Sequence, residues 1–398
     1  MRRVAFFILL LLLLPNVQGQ GTIQTVDLSL ERTIQDTAIG IISGSKSPDS
    51  KDVLLVGEDG FVMLVDANSP ETNNRDLILN SNRESALRSV DWHPRGNTAL
   101  IAGDNGAAMR YDSSDNSLSM LNGSFLLIGI DLKAVTWRPG GDFAYFGASD
   151  GSIWKFAEYY GFEMLNNTKQ SQISDLACHR TYNICFATTL SDGIAVISQD
   201  HEVTWLAGTN QETWIGIDCA DPTLNECVAF GSNLKTKAIK INLIDASKSQ
   251  GLETNFLLSE NVEGDMSGIV RGHDSTTLVF LSPIGLLRNN PLENEAFSMA
   301  QGSHFTAWDV AVAARSIVFA WEISTNNGFL ITDFGHVISF SPLLEEDEAG
   351  IMTIIVFAAV AISVPGVILG LIYMNSPFLQ RKYSELRKRK NPKKSSKG

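Results

Sequence analysis

The stretch "ALRSVDWHPRGNTALIAGDNGAAMRYD", residues 86–112, returns in altered letters as "DLKAVTWRPGGDFAYFGASDGSIWKFA", residues 131–157. In each, an apolar run carries a Trp and ends in a turn with Pro and Gly. A second apolar run then leads to an Asn-Gly or Asp-Gly turn and into a third. Trp92 and Trp137 both stand fourteen residues before the turn glycine, Gly106 or Gly151. Alternating apolar runs of strand length, punctuated by Gly, Asn, Asp and Pro, read as antiparallel β-structure.

Working outward from that glycine, the same turn recurs at Gly60, Gly193, Gly285 and Gly335, with a degenerate copy, "FGSNLKTKAIKIN", near Asn233. The successive spacings are 46, 45, 42, about 40, about 52 and 50 residues, close to the roughly 40–50 of a propeller blade. Seven units of four strands result. A four-stranded sheet this small cannot bury both faces alone, and radial packing of several solves the problem while leaving short edges. The seventh unit ends at "HVISFSP" without a fourth strand, and "TIQTVDLSLERT", residues 22–33, has the alternation of an outer strand that could close the ring.

The V-x-W-x-P-x-G hairpin, the apolar strand after it and the [DN]-G turn resemble the repeat of WD40-type β-propellers over about residues 22–342. The Gly-His that opens such repeats is displaced here, at Gly272-His273 and Gly335-His336. Their closing Trp-Asp survives only as Val65-Asp66 and Tyr111-Asp112. The resemblance implies a rigid scaffold that binds proteins or peptides on its faces, and it implies no reaction.

The ends of the chain give an address. "MRRVAFFILLLLLLPNVQGQ" has the basic start, short apolar core and small-residue finish of a secretory signal over residues 1–19. The propeller then spans 20–342 and an acidic linker 343–349. An uncharged segment, 350–374, is long enough to cross a hydrocarbon core of roughly 30 Å, and a basic tail spans 375–398. Basic residues on one flank place that flank in the cytoplasm. The expected class is therefore all-β: a seven-bladed β-propeller ectodomain, extracellular or luminal, with one C-terminal transmembrane α-helix. The tail could also contact anionic lipid headgroups.

Without the nine Lys and Arg of the tail and the two of the leader, the exported part keeps 20 of the 31 basic residues. It keeps 43 of the 44 acids, for a net of −23. That field disfavours nucleic acid and serves solubility or attraction of cationic partners. The four cysteines, Cys178, Cys185, Cys219 and Cys227, fall into two local pairs without zinc-like C-x₂₋₄-C spacing. In an exported chain they read as two hairpin disulfides, Cys178–Cys185 and Cys219–Cys227. Asn122 and Asn166 begin N-x-[ST] glycosylation triplets.

Catalytic motifs of the H-E-x-x-H, G-x-S-x-G and P-loop kinds are missing, and the six histidines are dispersed. No catalytic residue, metal ligand or cofactor is assigned, and His93 reads as a solvated loop residue. Asp59, Asn105, Asp150 and Asp192 precede turn glycines and should gather on one face of the ring. They read either as an acidic ring for a cation or basic peptide, or as residues a tight hairpin needs. Arg88, Lys133 and Asp175, each eighteen residues before its glycine, should open the innermost strands on that face as contacts for a partner. Tyr159, Tyr160 and Phe162 lie in a link where exposure is expected. Two functions fit: a protein–protein interaction scaffold, or a metal-dependent, lactonase-like hydrolase or small-ligand binder using the central channel.

Overall fold

The computed structural model describes residues 25–34, 40–254, 262, 264–293, 295–300, 312, 314–343, 363, 367 and 370–390. Its strands form seven four-stranded antiparallel sheets, arranged as a seven-bladed β-propeller. Six blades are simple meanders. Their innermost strands are Ile41–Lys46, Leu87–Trp92, Leu132–Trp137, Ile173–Cys178, Trp214–Asp218 and Asp265–Arg271, for blades 1 to 6. Blade 7 is built from Ile317–Ser324, Asn327–Thr332 and His336–Pro342, and its outermost strand is Val26–Thr33 from the start of the chain. Val26 pairs with Pro342 and Thr33 with His336, so the ring is closed by hydrogen bonds between its two ends.

The hydrophobic cores lie between blades, because each sheet is apolar on both faces. One cluster joins Leu54, Val56 and Val62 of blade 1 to Leu87, Trp92 and Ile101 of blade 2. The closing interface stacks Val53, Leu55 and Met63 of blade 1 on Phe319, Trp321 and Phe329 of blade 7. There the Trp321 Nε1–H donates to the Ala67 carbonyl at 2.8 Å.

The repeat glycine has a physical cause. Gly60, Gly106 and Gly151 hold φ of +69°, +69° and +84° in the turn between second and third strands. A Cβ on them would stand 2.1, 2.3 and 2.0 Å from the carbonyl oxygens of Arg83, Leu127 and Lys169, in the links to the following blades. Only hydrogen fits. Blade 5 keeps the turn without the glycine, since Asn233 and Leu234 themselves take φ of +56° and +57°.

Both hairpin disulfides form, Cys178–Cys185 and Cys219–Cys227, and no cysteine among the described residues is free. The chain divides at Pro342, and the second unit holds a helix over Pro377–Lys390. The leader at 1–19, the linker beyond Leu343 and most of the apolar segment 350–374 lie outside the described residues. Among the described residues no helix is long and apolar enough to cross a membrane.

Candidate functional site

Each inner strand carries a register shift near its start, which leaves one extra residue there. In blades 2 and 3 that residue is Arg88 and Lys133. Both turn to Asp104, at 2.6 Å for Arg88 Nη2 to Oδ2 and 2.8 Å for Lys133 Nζ to Oδ1. Arg88 also reaches Glu58 at 3.3 Å. Burial opposes ionisation of Asp104, but the hydrogen bonds and charges of Arg88 and Lys133 hold its carboxyl below the usual range. In blade 4 the extra residue is Ser174, so Asp175 sits one step further along the strand.

Of the four turn residues, Asp150 and Asp192 accept hydrogen bonds through their carboxylates. Asp59 and Asn105 supply left-handed backbone, at φ of +51° and +54°. The Asn105 N–H donates to Asp131 at 3.0 Å. Asp150 accepts from the Ser152 N–H and hydroxyl at 2.9 and 2.6 Å. Asp192 accepts from the Ser171 N–H at 3.2 Å, in the link that enters its own blade from blade 3. Among the described residues no group of three or more Asp, Glu, His or Cys could hold a metal ion.

At the opposite end, where first and second strands are joined, the channel opens into a cavity of about 620 Å³. Asp91, Asp175, Asp218, Lys46, Arg271 and Glu322 are among its lining residues. An inner strand is a sheet edge whose N–H groups need partners, and the channel side chains supply them across blades. Asp91 accepts from the Trp137 N–H at 2.8 Å, Ser89 from the Val135 N–H at 3.2 Å, and Asp175 from the Ile217 N–H at 3.0 Å. Asp91 and Asp175 are half-buried and open to the cavity. Burial pushes Asp91 up to about 6 and Asp175 up to about 7, against the hydrogen bonds that each accepts. Asp218 is held by Arg271 at 2.6 Å and the Thr277 hydroxyl at 2.8 Å. Glu322 is held by Arg288 at 2.9 Å. Lys46 donates to the Glu322 carbonyl at 2.8 Å, and burial lowers its affinity for a proton.

The sequence reading named Asp175 but passed over the other cavity acids. The signal for two of them lay in "SVDW" and "GIDC", which put Asp91 and Asp218 at the same inner-strand position. His93 corrects its reading as a solvated loop residue. Its Nδ1 accepts from the Arg95 N–H, its Nε2 faces the Gly141 carbonyl at 3.1 Å, and its ring packs edge-on to Trp137. His179 repeats the device one blade pair on, fully buried, with Nε2 2.8 Å from the Leu224 carbonyl. The partners assign a neutral imidazole with the proton on Nε2, and these histidines tie neighbouring blades together.

Tyr159 and Tyr160 are 93% and 89% exposed at the tip joining the third and fourth strands of blade 3. Phe162, expected to share that exposure, is buried on the fourth strand because it faces Phe146 and Phe156 in the blade 2–3 core. Phe125, Leu126 and Ile128 stand exposed on the link from blade 2 to blade 3, while Leu127 between them is buried. Gly161 packs on Asn122 and Gly123, which brings the tyrosine tip beside that link. Asn122 and Asn166 are both exposed.

No protein-family model matches the chain, and no curated protein matches it. The fold itself, seven antiparallel blades closed by the first strand, is consistent with the WD40-like resemblance.

Proposed function

We propose that this chain is a membrane-anchored propeller outside the cytoplasm that holds protein partners on its surface. The observation that carries the reading is a set of exposed apolar side chains on the blade 2–3 link and on the blade 3 tip whose Gly161 packs on that link. Phe125, Leu126, Ile128, Tyr159 and Tyr160 are presented there on a fixed backbone, with Leu126 N–H bonded to the Gly123 carbonyl and Ile130 N–H to the Leu127 carbonyl. Clustered exposed apolar side chains on a rigid fold mark interaction surfaces, and Tyr is favoured at their centres. The charge of the exported part steers cationic partners toward it. Anchoring follows from the apolar segment 350–374 and the basic residues after it.

The test is affinity capture through the tail from solubilised membranes, comparing the parent chain with a Phe125→Asp/Tyr160→Asp variant. A stoichiometric partner retained by the parent and lost from the variant, with unchanged melting temperature, supports the reading. Identical partner sets would sink this patch as the docking surface.

The second reading, a small-ligand site in the channel, is favoured by the cavity lined by Asp91 and Asp175. Native mass spectrometry of the released ectodomain tests it: a bound small molecule lost on Asp175→Asn would support it, and a bare chain would count against it.

A further inference from the structure

The position where the chain leaves the propeller selects the face that meets the bilayer. The third strand of blade 7 starts at the Asp333–Gly335 turn and ends at Pro342, on the end of the ring where first and second strands are joined. Seven residues, 343–349, separate that exit from the uncharged segment, and fully extended they reach at most about 25 Å. To set the opposite end against a membrane, they would have to retrace a seven-residue strand, roughly 23 Å. Nothing would then remain to clear the turns beyond it.

The same end carries apolar tips in the blades next to the exit. Leu243 and Ile244, the latter 99% exposed, stand between the third and fourth strands of blade 5. Leu292 stands at the equivalent tip of blade 6, and Ile323 at the first hairpin of blade 7, both exposed. One by one such exposed side chains are ordinary; gathered on the end where the chain leaves, they give a bilayer surface apolar groups to cover. Lys248 pairs with Asp245 at 2.9 Å, which neutralises the charge beside Ile244 while its long stem can lie along the headgroup layer.

We propose that the tips of blades 5–7 at the exit end, with Ile244 and Leu292 foremost, rest in the headgroup layer of the lipid bilayer, leaving the face of Arg88, Lys133 and Asp104 turned away from it. This rests on the membrane-anchor reading. The exported part is acidic, so the contact is apolar and needs no anionic lipid.

All native cysteines are in disulfides among the described residues, so single cysteines can be labelled cleanly. The full chain is reconstituted into phosphatidylcholine vesicles with an environment-sensitive dye on Ile244→Cys or Leu292→Cys. Leu190→Cys, an exposed residue at the opposite end, is the control. Lipid carrying a headgroup nitroxide should quench the first two at least twofold more than the third. Equal quenching at all three, or stronger quenching at Leu190→Cys, overturns the orientation. Flotation of the same samples separates the two claims. Protein that does not float with vesicles defeats the anchor and the orientation together, whereas floating protein with an unquenched label at 244 and 292 defeats the orientation alone.

Discussion

The Asp175 carboxylate accepts the Ile217 N–H at 3.0 Å and the Leu176 N–H at 2.8 Å, so one acid ties the inner strands of blades 4 and 5. Burial raises this acid to about 7, above an unfolded value of roughly 3.9. A carboxyl raised in the folded state contributes its stability fully below the unfolded value and loses it as pH climbs through the folded one. That difference is worth at most roughly 4 kcal/mol, and screening by channel water reduces it to the order of 1–2 kcal/mol. Asp175→Asn should therefore compare better with the parent at pH 8.5 than at pH 5. Melting curves of both proteins at the two pH values check this. A gap that does not change with pH would mean that Asp175 stays ionised in the channel throughout.

His179 should show the opposite pH dependence. Burial lowers its affinity for a proton, opposed by the hydrogen bond to the Leu224 carbonyl. Its Nδ1 is already used by the Thr181 and Tyr182 N–H groups. A base lowered in the folded state contributes stability above its unfolded value, near 6.5, and loses it as pH falls. His179→Gln should cost about 1–2 kcal/mol at pH 8 by removing cross-blade bonds. The cost should shrink toward pH 5, where the parent must bury a cation or break the tie. Urea unfolding at the two pH values gives the comparison.

Two glycines separate backbone conformation from crowding. Gly151 and Gly129 have nearly the same φ, +84° and +82°. A Cβ at Gly151 would meet the Lys169 carbonyl at 2.0 Å, whereas nothing lies within 4 Å at Gly129. Gly129→Ala should cost about 1 kcal/mol, the left-handed penalty alone. Gly151→Ala should cost at least about 3 kcal/mol, because the link to blade 4 must move as well. Equal losses in thermal unfolding would show that the carbonyl gives way freely.

That glycine is also why the blade count could be read from sequence. A residue that must be both left-handed and without a Cβ leaves one letter, and it leaves it in each of blades 1 to 4, whereas Gly285 of blade 6 is not left-handed. Blade 5 is faint because Asn233 and Leu234 make the same turn with side chains. The channel was less legible. Whether an inner-strand residue meets the channel mouth or its interior depends on a bulge that shifts the register by one. Counting back from the turn puts Asp175 with Arg88 and Lys133, although Ser174 holds their place in the bulge. Cross-blade partners such as Asp91 with the Trp137 N–H span 46 residues and leave no local pattern.

The closing strand offers the sharpest test of how the ring is held. Val26 is fully buried in the cluster shared by blades 6 and 7, with Leu28 and Leu30 packed against it. Arg32 reaches across to blade 1, bonding both Asp76 oxygens at 2.6 and 2.9 Å. Removing residues 20–33 exposes the edge of His336–Pro342 and the apolar surface under those three side chains. The lost burial alone is on the order of 5 kcal/mol. A propeller beginning at Ile34 should therefore melt about 10 °C lower, given roughly 2 °C per kcal/mol for a chain of this size, and should self-associate through the open edge. A synthetic peptide of residues 22–33 should restore both properties by pairing in trans. The same peptide with Leu28→Asp and Leu30→Asp should not. Calorimetry and light scattering on the truncated propeller, with and without each peptide, read the result. An unchanged melting temperature after truncation would show that blade 7 stands on three strands, and that the cores between blades hold the ring without the closing ladder.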